Sequence, residues 1–167
     1  MPPTLKNAYN HPIPWNDIKK TSHDQKAIIK TSKGNITIKL FVNEAPGSVA
    51  NFILLASNKF YDNKYFHRVV PNFVVQGGCP RGDGFGSEDY SIRSEFSRRR
   101  YKTGSIGMAS AGKDTEGTQW FITHSPTPHL DGRYTIFAEV ESGMDIVHKL
   151  EVGDKILSIE VIGLNAL

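Results

Sequence analysis

The chain has 167 residues, with 20 Lys+Arg against 17 Asp+Glu and one cysteine, Cys79. That length fits one domain that buries an adequate core without covalent staples. A single cysteine excludes an internal disulfide framework and any multi-cysteine zinc site. The formal charge of +3 points to neither nucleic acid nor a membrane as partner, and no run approaches the ~20 apolar residues of a membrane span. The first twenty residues lack an apolar core of signal-peptide length, so the chain is expected to be intracellular and cytoplasmic, unless it is excised from a longer exported protein. Fifteen Gly and nine Pro favour many short elements over a helical bundle.

In chain order, residues 1–25 stand apart. They carry Pro2, Pro3, Pro12 and Pro14 with little periodicity and read as a lead-in or linker. Within them, Pro14–Ile18 fits one helical turn whose Trp15 and Ile18 dock on the body. Such a connector suggests attachment to a longer protein, with residues 26–167 as the folded domain. Ala27–Thr31 and Asn35–Phe41 flank Ser32-Lys33-Gly34 as a hairpin, with Ile36, Ile38 and Leu40 on one face. Pro46 opens a helix at its first turn, where its missing N–H costs nothing. Val49, Phe52, Ile53 and Ala56 follow the spacing of a buried helical stripe. Short strands follow at Tyr65–Val69, Val74–Gly77, Gly104–Ala109, Trp120–Thr123, Thr135–Val140 and Ile156–Gly163. A second helix fits Gly143–Leu150, with Ile146, Val147 and Leu150 inward. This pattern predicts a closed, mostly antiparallel barrel with helical caps, which also removes exposed sheet edges.

Several chemistries fit the residue types poorly. The six histidines form no close metal-binding pair with a carboxylate. Met108–Gly112 misses the nucleophile elbow, because Met108 replaces its first glycine and no parallel βαβ unit surrounds it. Gly82-Asp83-Gly84-Phe85-Gly86 lacks the Lys-Ser/Thr of a phosphate loop and reads as a flexible surface loop. Ser97–Tyr101 is a compact basic run, a solvated loop or a contact for an acidic partner. Cys79 reads as a small, partly buried residue rather than a redox switch.

Phe66–Gly78 is more unusual, an apolar stretch with long polar side chains embedded in it. Strand alternation places Phe66, Arg68 and Val70 on one face. An arginine there needs partners, because an unpaired buried charge is costly. Gln76 on the next strand is the nearest group to orient it; the alternative is a structural arginine paired with a carboxylate.

These blocks carry a family resemblance. Phe66-His67-Arg68-Val69-Val70-Pro71-Asn72-Phe73 with Gln76-Gly77-Gly78 resembles the signature of cyclophilins, the peptidyl-prolyl isomerases. Gly104–Ala109, Gly117–Ile122 and His129–Phe137 continue the match, which runs from about Lys26 to Leu164. The resemblance implies an eight-stranded antiparallel β-barrel capped by two α-helices. It implies cis-trans isomerisation of X-Pro bonds in polypeptides, assisting protein folding, with no covalent intermediate, metal or cofactor.

By the same resemblance Arg68 is the catalytic group, and Gln76 orients it and contacts the substrate backbone. Phe73, Val74, Phe121 and Leu130 line the proline pocket. Ala109, Ser110 and Ala111 form the rim along which the substrate backbone lies, and Gln119 bonds the peptide near the rotating carbonyl. Val74 stands where many members carry Met, and Ser110 where Asn is common. His129 and Tyr134 stand where the best-known eukaryotic members have Trp and His. The Trp indole is a donor to cyclosporin in those members, so weak cyclosporin binding is expected here. Tyr134 keeps an aromatic wall. A monomer, or the catalytic domain of a longer chain, without nucleic-acid or membrane partners is expected. Turnover should be nearly flat across about pH 6–8, since no group titrating near neutrality takes part. A bell-shaped profile would implicate His67, His129 or Tyr134. The rival reading is a module that holds proline segments without turning them over, although a module need not retain Arg68.

Overall fold

The hairpin forms as the alternation dictates. Strand β1 (Lys26–Thr31) pairs with β2 (Gly34–Leu40) across a Ser32-Lys33 turn, and Thr31 lies opposite Gly34. Ala27, Ile29, Ile36, Ile38 and Leu40 all point inward and are buried. The computed structural model describes residues 25–86, 88 and 90–162. The lead-in up to residue 24, its expected turn at Pro14–Ile18 and the strand end at Gly163 lie outside the described residues.

Six further strands follow: β3 (Lys64–Val70), β4 (Val74–Gly77), β5 (Ser105–Met108), β6 (Trp120–Thr123), β7 (Ile136–Ser142) and β8 (Lys155–Ile162). They close into one barrel in the order β1-β2-β7-β5-β6-β4-β3-β8, antiparallel at each pairing. Closure leaves no long unpaired edge, which suits strands as short as four residues. Two helices complete the fold, α1 (Pro46–Ser57) and α2 (Met144–Lys149), with a 3-10 turn at Pro128–Leu130.

Helix α1 begins at Pro46 as expected, but Ala45 before it offers no side-chain cap. The cap comes from far along the chain. Glu95 accepts from the Gly47 and Ser48 amides at 3.0 and 2.7 Å and from Ser48 Oγ at 2.8 Å. This satisfies orphan N–H groups and sets a carboxylate against the positive end of the helix. Val49, Phe52, Ile53 and Ala56 enter the core. There Phe52 lies against Tyr61, Trp120 and Phe137 at ring-centroid distances of 5.6, 6.2 and 5.3 Å. From α2, Val147 and Leu150 join the same core, while Ile146 is half-buried against it.

One expectation fails, and its failure builds the site. Simple alternation puts Phe66, Arg68 and Val70 on one face, yet Phe66 is buried in the barrel and Arg68 is exposed. Phe66 pairs with Gly77 and Arg68 with Gln76, so the register shifts by one residue between them. A bulge that sets two residues against one reverses the facing of everything beyond it. Val69 therefore packs on the barrel core and Arg68 turns out to the surface. Arg68 is not a buried charge.

Candidate active site

Alternation on β4, β5 and β6 gives the barrel wall two different faces. Val75, Ile106, Met108, Trp120 and Ile122 point into the barrel core. Val74 and Phe121, from the same strands, point outward into a second apolar cluster with Phe41, Tyr101, Leu130 and Ile136. Phe73, Ala109 and Tyr134 pack against it. The turn joining β3 to β4 carries Phe73, whose amide donates to Val70 O at 3.0 Å, and the 3-10 turn presents Leu130.

The floor is a stack of rings. Tyr101 lies under Phe121 at 5.7 Å and 22° between planes, and Tyr134 meets Phe121 edge-on at 6.0 Å. Such contacts add stabilisation beyond area burial. Tyr101 Oη donates to Tyr134 O and Thr135 O, both at 3.2 Å, and burial pushes its phenol up, so it stays a donor. Gly107 makes this stack possible. A Cβ there would lie 2.2 Å from Tyr101 Oη and 2.6 Å from Phe121 Cζ.

Above this floor opens a cavity of about 210 Å³, lined by Arg68, Phe73, Val74, Gln76, Ala109, Ser110, Phe121, Leu130 and Tyr134. The structure thus gathers nine of the twelve residues singled out from the sequence. Ala111 and Gln119 line an adjoining cavity of about 350 Å³, together with Gln76, Ala109 and Ser110. His129 is exposed and stacks on the wall residue Phe73 at 5.4 Å and 28°, beside the cavity and outside the lining of either one. The Ala111 amide donates to Thr115 Oγ1 at 2.8 Å, and Thr115 Oγ1 donates to Gly112 O at 2.7 Å, so the rim is a tied turn.

A hydrogen-bonded relay runs along the polar side. Arg68 Nη1 donates to Gln76 Oε1 at 3.4 Å, and Gln76 Nε2 donates to Gln119 Oε1 at 3.0 Å. Gln119 Nε2 in turn donates to Gly84 O and Gly86 O at 3.0 and 3.1 Å. Each amide has its orientation set by its neighbours. The Arg68 guanidinium also lies 6.0 Å from the centre of the Phe73 ring.

The relay ends on the glycine-rich loop, which is not loose. Cys79 is fully buried, and its Sγ accepts from the Gly84 and Gly86 amides at 3.3 Å each. The loop winds around the sulfur, and Asp83 closes it through the Phe85 amide at 2.9 Å and Arg81 at 2.5 Å. Neither Tyr101, Gly107 nor the loop carbonyls were found from the sequence. The steric need for Gly107 and the 33- and 35-residue separations from Gln119 to its acceptors leave no local pattern.

His67 and Glu116, near the site, are also electrostatically perturbed. His67, beside Arg68, has its pKa lowered, first by burial and then by the Arg68 charge; its Nδ1 is buried without a partner. It is neutral around pH 7. Glu116 is 1% exposed, and burial raises its carboxyl. Ser94 Oγ donates to its Oε1 at 2.6 Å. Among the described residues no group of three or more His, Cys, Asp or Glu is placed to hold a metal ion. No helix there is long and apolar enough to cross a membrane.

The arrangement is an open apolar slot with a permanently charged guanidinium at its mouth. It can seat a small, largely apolar ring and hold a cation beside a polar atom at that ring's edge. Comparison with known proteins agrees with this chemistry. A family model described as cyclophilin type peptidyl-prolyl cis-trans isomerase/CLD matches residues 26–161. The chain is 45% identical over 139 residues to a peptidyl-prolyl cis-trans isomerase of Synechococcus elongatus, covering 82% of this chain and 96% of that protein. It is 45% identical over 130 residues to peptidyl-prolyl cis-trans isomerase B of Bacillus subtilis, covering 77% and 91%. A crystal structure of a cyclophilin type peptidyl-prolyl cis-trans isomerase of Cryptosporidium parvum superposes with a TM-score of 0.77 at 28% identity, over 83% of this chain and 97% of that one. That protein has also been solved in the presence of the dipeptide Ala-Pro.

Proposed function

The chain belongs to the cyclophilin-type peptidyl-prolyl cis-trans isomerase family, and from that premise we propose that rotation about X-Pro bonds is driven here by Arg68 at the mouth of the Phe121 slot. An X-Pro amide has partial double-bond character and a rotation barrier of ~18–20 kcal/mol. Its cis and trans forms differ by only about 0.5–1 kcal/mol, so the task is to speed the exchange rather than to shift the balance.

The slot anchors the proline. Burying three ring methylenes at about 0.8 kcal/mol each gives on the order of 2 kcal/mol of binding. Val74, Phe121 and Leu130 supply the apolar wall, and Phe73, Ala109 and Tyr134 complete it. With the ring held, the acyl side turns. Twisting removes amide resonance and returns a lone pair to the prolyl nitrogen. A guanidinium aimed at that nitrogen binds the twisted form better than the planar one, and only such differential binding lowers the barrier. Each ~1.4 kcal/mol of that difference gives about tenfold in rate. Arginine suits the role because it does not lose its proton and its planar fork can be held in one orientation. Gln76 and Gln119 hold it here, and Gln76 also faces the substrate backbone laid along Ala109–Ala111.

The observation that carries the reading is the bulge between Phe66 and Arg68, which delivers the cation to the same cavity as the ring floor. Proline-containing polypeptides are the substrates, and the site is complete within one chain. With His129 stacked on Phe73 in place of an indole donor, cyclosporin binds weakly; nanomolar affinity by calorimetry would contradict this. The direct test is exchange NMR on a proline tetrapeptide with a small molar fraction of enzyme. Cis and trans signals should exchange much faster than the spontaneous rate of minutes. An unchanged exchange rate would reduce the chain to a proline-binding module.

A further inference from the structure

The groove's apolar cluster also borders a second cleft, of about 280 Å³, whose walls include Arg98, Arg99, Arg100 and Lys102. Glu139 is the one carboxylate among its lining residues. Four cations against one carboxylate make this lining a concentrated positive patch.

These cations are mounted on fixed backbone. The Arg99 guanidinium lies 3.5 Å from the centre of the Phe41 ring and donates to Glu44 Oε1 at 3.0 and 2.7 Å. The Tyr101 amide donates to Asp131 Oδ1 at 2.7 Å, and the Tyr101 ring is buried. The Lys102 amide donates to Ser105 Oγ at 2.9 Å, and Lys102 O accepts from Thr123 Oγ1 at 2.6 Å. Glu44 and Asp131 are engaged by Arg99 and Tyr101, whereas Arg98, Arg100 and Lys102 are exposed and make no ion pair among the described residues. Fixed mounts with free charged ends lower the ordering cost of binding an anion.

We propose that this cleft is an exosite for a carboxylate-rich segment of the same polypeptide whose proline occupies the groove. The inference rests on the isomerase reading and adds a substrate preference to it. Phe41 and Ile136, in the cleft wall, belong to the same small cluster as Phe121 and Leu130 in the groove. Tyr101 directly follows Arg100 and stacks on Phe121. The two sites are thus lined by one packed cluster, which lets one chain engage both. A tethered second contact raises apparent affinity through effective concentration. An acidic peptide fits better than nucleic acid, because the one aromatic ring among the described residues lining the cleft, Phe41, is already covered by Arg99 and offers no face for base stacking.

The test measures isomerisation by exchange NMR, with two peptide families. One is a neutral proline tetrapeptide. The other carries the same tetrapeptide joined to four Asp/Glu residues through Gly-Ser linkers of graded length. At low salt the acidic peptides should show a KM about tenfold lower, with an optimum linker length. The gain should vanish at about 0.5 M NaCl, where the Debye length is only a few ångströms. It should also vanish in the triple variant Arg98→Ala, Arg100→Ala, Lys102→Ala, while the neutral tetrapeptide is turned over equally by both proteins. That unchanged rate reports an intact fold and groove, and separates failure of the exosite from failure of the isomerase reading. An acidic tail that leaves KM unchanged, or a gain that survives the triple substitution, overturns the proposal. Displacement of the acidic peptide by low concentrations of a single-stranded oligonucleotide would also overturn it, in favour of a nucleic-acid site.

Discussion

The barrel interior and the groove are built from the same strands, one residue apart. On β6, Trp120 and Ile122 fill the core while Phe121 floors the groove; on β4, Val75 goes in while Val74 and Gln76 go out. Yet the two faces make different demands. The interior requires apolar volume at high packing density, which many residue combinations meet. The groove must stay open, so each of its parts is held by something outside it: Phe121 by Tyr101, Tyr101 by the space at Gly107, Arg68 by Gln76 and Gln119. Stability resides mainly in the first region and catalysis in the second.

The largest expected effect tests that division from the inside. Phe52→Ala empties a core site whose ring meets three others, and should cost about 3–5 kcal/mol of stability. The folded fraction should still turn over a proline peptide within about twofold of wild type. A large fall in turnover with little change in melting would erase the distinction.

Gly107→Ala should be felt on both sides. Its methyl would meet Tyr101 Oη and Phe121 Cζ. Overpacking costs about 1–3 kcal/mol, and displacing Phe121 should reduce kcat/KM by about tenfold, read by melting and exchange NMR together. Wild-type turnover would mean that Phe121 is not the floor of the working site.

Gln119→Ala separates holding from touching. It removes the acceptor for Gln76 and frees two loop carbonyls. Loss of about 1 kcal/mol of orientation predicts about a fivefold fall in kcat, with KM and melting temperature little changed. A rise in KM alone would make Gln119 a binding group rather than a positioning one.

These particulars show which levels of the structure are local. The hairpin, the start of α1 at Pro46 and strands β4 and β6 follow from alternation and spacing, because each pattern is complete within a few residues. The facing of Arg68 does not, since a bulge is invisible to alternation and reverses it. The Glu95 cap on α1 and the Gln119 contacts to the Cys79 loop depend on residues 33 to 48 positions apart, so chain order does not announce them. Residue types named the members of the site; tertiary packing set their neighbours, such as the His129 ring stacked on Phe73.

The smallest effect concerns pH. His67 and His124 both have lowered pKa values, each mainly through burial. The folded state therefore binds fewer protons than the unfolded chain, and their contribution is complete above about pH 6.5 and lost as pH falls below it. Glu116, raised by burial, works the other way: its contribution is present below its ordinary value and lost as pH rises through the raised one. Glu116→Gln should melt slightly above wild type at pH 7 and level with it at pH 4, by thermal melts across that range. Turnover should stay nearly flat over about pH 6–8, because a guanidinium keeps its charge throughout that range.

The central claim is that Arg68 binds the twisted amide better than the planar one. Its most direct test is exchange NMR on one proline peptide with wild type, Arg68→Ala and Arg68→Lys, alongside their melting curves. Arg68 is exposed, so all three should melt within about 2 °C of each other, while Arg68→Ala loses about a hundredfold in kcat/KM, close to 2.7 kcal/mol. Arg68→Lys should recover little, since a point charge lacks the fork that Gln76 orients. Turnover by Arg68→Ala within about threefold of wild type would contradict the account.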